Sequence, residues 1–127
     1  FSKNLYMNEE DIKKLDDLDY LGTHGDSHLP LATLGLDEMI RDIQDSLSFF
    51  YNVCGVEKIK SISYPFGGPN AVSQKVAETS KKFGFEFGFT MFRGVNKIKD
   101  FDNPFLLNRV DTNDAPGGKL NSTEFCL

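Results

Sequence analysis

Tryptophan is absent, and histidine and cysteine occur only twice each in 127 residues. The two cysteines, Cys54 and Cys126, are too few for a disulfide framework in so short a chain. They are not the close pairs of a metal ribbon either, and are read as reduced or buried thiols. Positive charge is scarce: 14 Lys and Arg stand against 19 Asp and Glu, a net charge of -5. That balance excludes a protein that holds nucleic acid by neutralising phosphates. No apolar run reaches the roughly 18 residues that span a bilayer, so no membrane span is expected. Internal repeats and low-complexity linkers are missing as well. What remains is 39% hydrophobic and 26% charged, an ordinary globular balance and too apolar for a disordered tail. The length suits one domain, 1–127, or part of a larger one. Because the sequence starts at Phe1 rather than Met, it is expected to be processed or a piece of something longer.

Helical and strand patterns alternate along the chain. Asn8 is a good N-cap, with Glu9, Glu10 and Asp11 in the first turn where carboxylates suit the helix dipole. Ile12, Leu15 and Leu18 make a short apolar stripe behind it. Tyr20 to Thr23 reads as a short strand or turn. The clearest helix follows, capped by Asp37. Ile40, Ile43, Leu47, Phe50 and Cys54 lie at three- and four-residue spacing, and Gly55 stands at its stop. Ile59 to Tyr64 is alternating and β-branched, which predicts a strand closed by Pro65. A glycine-rich loop leads to another helix, with Val72, Val76 and Phe83 inward and Gly84 ending it. Phe85, Phe87 and Phe89 alternate as a strand does, and the run Phe83 to Phe92 reads as core. A polar loop with Gly94, Asn96 and Lys97 precedes a last short strand, Leu106 to Val110. After Asp111 the sequence reads as a polar tail, 112–127.

This order predicts an α/β fold with parallel strands and outer helices. A complete barrel of βα units needs about 200 residues or more, so the pattern fits a partial or distorted (β/α) barrel, or an open sheet.

Three places carry candidate chemistry. His24 and His28 lie four apart in Thr23-His24-Gly25-Asp26-Ser27-His28. On a helical turn that spacing puts both imidazoles on one face, where they can ligate one metal ion. In an extended segment Asp26 would join them. Two solvent-exposed loop histidines are the plainer reading. The second place is Ser63-Tyr64-Pro65-Phe66-Gly67-Gly68, running from a strand through a turn to a helix start. Its backbone N–H groups are suited to an anion or a developing oxyanion; otherwise it is a connecting loop whose glycines supply positive φ. The third is Arg109, inside a short apolar strand, which needs an acceptor if buried and is an edge arginine in water if not. Asn121-Ser122-Thr123 matches a glycosylation acceptor.

Taken together, these segments resemble the polysaccharide deacetylase family (carbohydrate esterase family four) from about Asn8 to Val110. Leu21 to His28 is similar to the family's second motif, in which two histidines four apart bind a divalent metal, usually zinc. Ser63 to Gly67 looks like the third motif in its Tyr-Pro-aromatic-Gly form. Gly84-Phe85, Gly94-Val95-Asn96 and Leu107-Asn108-Arg109 resemble the C-terminal half. The resemblance departs from the pattern in three ways. No aspartate pair in the context of the first motif precedes His24, since Asp16-Asp17 falls in the first helix. No third histidine can serve as general acid. Position 25 is Gly where the family often has Ser or Thr. The chain thus resembles the C-terminal part of a deacetylase domain with the opening strands missing.

The resemblance implies metal-assisted hydrolysis of N-acetyl groups on a sugar or polysaccharide. His24 and His28 would be the metal ligands. Phe66 would give an oxyanion donor or a groove contact, and Tyr64 and Arg109 would support substrate binding. Base and acid are unassigned; Asp26 and Asp111 are the nearest guesses for a further ligand and for a group reaching the pocket. Two alternatives stand beside this. One is a deacetylase-like module that binds carbohydrate without hydrolysing it. The other is a plain α/β domain whose unpaired strand edges are covered by a partner chain or by a second copy of itself.

Overall fold

The computed structural model describes residues 6–56 and 58–113. Three helices and three short strands alternate through most of it: α1 (Glu9–Asp17), α2 (Leu36–Val53), β1 (Ser61–Ser63), α3 (Gln74–Lys82), β2 (Phe87–Arg93) and β3 (Leu107–Arg109). Short 3-10 turns lie at Leu31–Thr33 and Ile98–Asp102. The sheet runs β1-β2-β3, and both pairings are parallel. Thr23 adds a single parallel bridge to Ile62 on the far side of β1. The expected α/β class with parallel strands and outer helices is therefore present, as an unclosed sheet.

Local chemistry explains most of the boundaries. Asn8 and Asp11 form a reciprocal capping box, each side chain accepting from the other's backbone N–H. Of the apolar stripe on α1, Ile12 packs on the core, but Leu18 stays exposed. Helix α2 starts one residue before its expected cap: Leu36 is already helical, Gly35 is the cap, and the Glu38 carboxylate accepts from the Gly35 N–H at 2.9 Å. Its buried stripe is Met39, Ile43, Leu47 and Cys54, and Gly55 turns the chain away at φ 66°. Ser73 caps α3, and Gly84 ends it at φ 83°.

The phenylalanine run departs from expectation. Phe85 is buried, but Phe87 and Phe89 are only half-buried and Phe92 is exposed. On β2 the buried positions are Gly88 and Thr90. The reason is space. Gly88 pairs with Ile62 on the helix-covered face. A Cβ there would meet the Tyr64 hydroxyl and would lie 2.7 Å from the Phe105 carbonyl oxygen. The larger rings must take the other face, where Phe87 and Phe89 stack with centroids 6.5 Å apart.

The core gathers Leu31, Met39, Ile43, Leu47, Ile62, Tyr64 and Val76 between α2, α3 and the sheet. Cys54 is a free, buried thiol. Most of the polar tail, with Cys126 and Asn121-Ser122-Thr123, lies outside the described residues. No helix among the described residues is long and apolar enough to cross a membrane.

Candidate metal and oxyanion site

The site begins where the chain leaves the sheet. Thr23 is locked to β1 on both sides: its N–H donates to the Ser61 carbonyl and its carbonyl accepts from the Ser63 N–H, each at 2.9 Å. Its hydroxyl is buried and donates to Ser46 of α2 at 2.9 Å. With Thr23 turned toward the helices, the next residue emerges on the other side of the sheet. His24 Nδ1 lies 2.7 Å from the Ser63 carbonyl oxygen and 2.7 Å from the Ser63 hydroxyl. A carbonyl only accepts, so Nδ1 carries a proton, and in the neutral ring the lone pair is on Nε2. That is the tautomer of a metal-binding imidazole whose second nitrogen is anchored.

The turn then folds back. Gly25 lies at φ 76° and His28 at φ 55°, a left-handed conformation that a residue with a Cβ adopts only at a cost. The two imidazole centroids come within 5.0 Å, tilted by 50°. Histidines four apart thus meet without a helix.

The end of β1 supplies the other half. Tyr64 is fully buried, and its hydroxyl donates to the Phe105 carbonyl at 2.8 Å and lies 3.2 Å from Ser80 Oγ. Burial pushes its pKa up to about 12, partly offset by Ser80. Phe66 is the reverse: 60% exposed and held at φ 60°. Its ring stands 5.1 Å from that of His28. His24, His28 and Phe66 therefore form a row of three rings from segments about forty residues apart. Gly67 is required behind them, at φ 47°, because a Cβ would lie 2.5 Å from the Met91 backbone nitrogen. Beyond Phe66 lies a cavity of about 310 Å³ lined by Pro30, Thr33, Phe66, Pro69 and Asn70.

Arg109 stands apart from this row. Its Nε donates to the Thr90 carbonyl at 2.7 Å, and its other nitrogens face Met91 and a second cavity of about 250 Å³ shared with Arg93 and Asp111. The two places are joined through Met91, whose N–H donates to the Gly67 carbonyl at 2.9 Å. Asp111 is held below the usual carboxylate range by the Asn113 backbone and side chain and by nearby Arg93.

Two imidazoles thus stand side by side, one with Nδ1 anchored on Ser63. Among the described residues no three His, Cys, Asp or Glu side chains come together. Asp26 and Asp111 therefore do not complete the histidine pair. Ser63 is the contributor that motif reading passed over, and its only signal is a small polar residue placed just before Tyr64-Pro65-Phe66.

Comparison with known proteins bears on the family and the fold. The family model for polysaccharide deacetylase matches residues 2–88. No curated protein sequence matches. Among solved structures, the chain is similar to the Streptococcus pyogenes deacetylase PplD in complex with acetate, with a TM-score of 0.70 at 15% identity. That match covers 86% of this chain and 46% of the other, so the chain spans less than half the length of its structural relative. With its matched segment holding both the paired histidines and the Tyr-Pro-Phe-Gly turn, the chain belongs to the polysaccharide deacetylase family.

Proposed function

We propose that this chain carries the metal-ligand and oxyanion half of a metal-dependent N-deacetylase that acts on an N-acetylated sugar or polysaccharide. The observation that carries the reading is the anchored His24, with Nδ1 committed to Ser63 and Nε2 left for a metal, beside His28 and Phe66. His24 and His28 would hold a divalent ion, with zinc as the expected metal. When bound, such an ion polarises the acetyl carbonyl and acidifies a water. The chain's own residues do the rest of what is assigned here. The Phe66 N–H faces the oxygen that becomes negative in the tetrahedral intermediate. The exposed Phe66 ring offers an apolar face to the saccharide, and the cavity beyond it has room for a sugar ring. Tyr64 supports the turn from below rather than touching substrate. Arg109 orients polar groups of the substrate from the neighbouring cavity.

The test is a zinc titration of the metal-stripped chain, with acetate release from N-acetylated oligosaccharide measured alongside. Saturable one-to-one binding, lost in both His24→Ala and His28→Ala, is the expected outcome. Wild-type uptake no better than that of the variants would sink the metal assignment.

No three His, Cys, Asp or Glu side chains gather among the described residues, which favours a second reading. It is a deacetylase-like module that holds carbohydrate without hydrolysing it. Saccharide binding with no acetate release, zinc present, selects this reading over the first.

A further inference from the structure

We propose that Asp42 of α2 is the positioning residue that sets the two histidines against each other. The inference rests on the reading of His24 and His28 as a ligand pair. The three residues between them decide whether their rings converge, and Asp42 holds those residues directly. Its carboxylate accepts from the Asp26 N–H at 3.2 Å, from the Ser27 N–H at 2.9 Å, and from the Ser27 hydroxyl. Two consecutive backbone N–H groups and one side-chain donor thus converge on one carboxylate, the arrangement in which hydrogen bonds to a charge are strongest.

The contact is close as well as polar. A Cβ at position 25 would lie 2.6 Å from Asp42 Oδ2. Glycine there answers two demands at once, the positive φ and the approach to the carboxylate.

A helix-packing role does not account for Asp42. The residue is only 7% exposed, and a buried carboxylate costs free energy unless donors surround it. The donors it finds belong to the link between the histidines. Apolar Met39, Ile43 and Leu47 pack α2, and Ser46, one turn on, ties it to Thr23. Asp42 is left to grip the turn. The turn is thereby fixed to the longest helix described, whose Met39, Ile43 and Leu47 lie in the core.

The experiment uses the full chain with Asp42→Asn, Ser27→Ala and, as a control on an exposed position of the same helix, Gln44→Ala. Asparagine keeps the size but turns an amide toward a backbone N–H. In metal-free protein, the expected result for Asp42→Asn is faster amide exchange at Asp26 and Ser27 and weaker ring-to-ring NOEs between His24 and His28, with unchanged helical circular dichroism. Zinc affinity should fall by about 10- to 100-fold, as losing an anchor of a metal ligand does. Ser27→Ala, which leaves α2 untouched, should show a smaller loss in the same direction. Gln44→Ala should keep its zinc affinity and its NOEs.

Unchanged exchange and NOEs in Asp42→Asn, or an equal loss in Gln44→Ala, overturns the proposal. If the wild type binds zinc and both Asp42→Asn and Ser27→Ala bind as tightly, the proposal falls while the metal reading stands. If the wild type takes up no zinc but the metal-free signals change as described, the metal reading falls and the positioning role stands.

Discussion

His28 and Phe66 share a property that sets them apart from ordinary site residues: both sit at positive φ, 55° and 60°. A side chain in that region costs about 1 kcal/mol that glycine escapes. Rings are kept where the backbone would rather have none, which points to the rings as the reason. For Phe66 this gives a clean prediction. Phe66→Gly should be more stable than Phe66→Ala by about 1 kcal/mol in urea unfolding, because only the glycine relieves the strain. Both variants should lose saccharide binding. Equal stability of the two would mean that the strain is not real.

At the level of elements, the β1–β2 pairing depends on a close approach at Gly88. Gly88→Ala should cost at least about 2 kcal/mol, since the new methyl group must displace the Tyr64 hydroxyl or the Phe105 backbone. Denaturant midpoints measure it, and a loss below half that figure would show that the layers can slide apart. The same strand shows what sequence reading can and cannot deliver. Helix α2 was plain in the spacing of Ile43, Leu47 and Cys54 and in the Gly55 stop. The strands were legible from β-branching and alternation, though β1 and β3 are shorter than expected and β2 runs on to Arg93. Which face of β2 turns inward was not legible, because alternating phenylalanines look the same from either side. The position of Tyr64, from another strand, decides it. The site divides the same way. The histidine spacing and Tyr64-Pro65-Phe66-Gly67 announce themselves, whereas a serine ending a strand and an aspartate in mid-helix carry no signal until folding sets Ser63 beside His24 and Asp42 beside Ser27.

At the scale of the whole molecule, Tyr64 ties three elements together: it ends β1, touches Ser80 of α3, and bonds to Phe105 ahead of β3. Its proton is therefore a global matter. Below the ordinary tyrosine value of 10.0 the phenol is neutral whether the chain is folded or not, and its contribution to stability is complete. Between that value and about 12 the unfolded chain gives up the proton while the folded chain keeps it, so stability falls as pH rises through this window. Tyr64→Phe should lose about 1 kcal/mol at pH near 8 with the hydroxyl's hydrogen bonds. It should also unfold with a weaker alkaline dependence than wild type. Urea midpoints measured on both proteins at pH near 8 and near 11 test this, and parallel slopes would count against the buried phenol as the cause.

The bridge between Thr23 and Ile62 has a consequence in time. His24 gains its anchor only when Ser63, 39 residues later, has come alongside. Contacts so distant along the chain form late, after local helices. A folding intermediate that holds α1 and α2 but lacks this pairing has both histidines and no site. The anchored imidazole is therefore the product of a non-local step of folding, and a chain short of that step carries two histidines without the anchor.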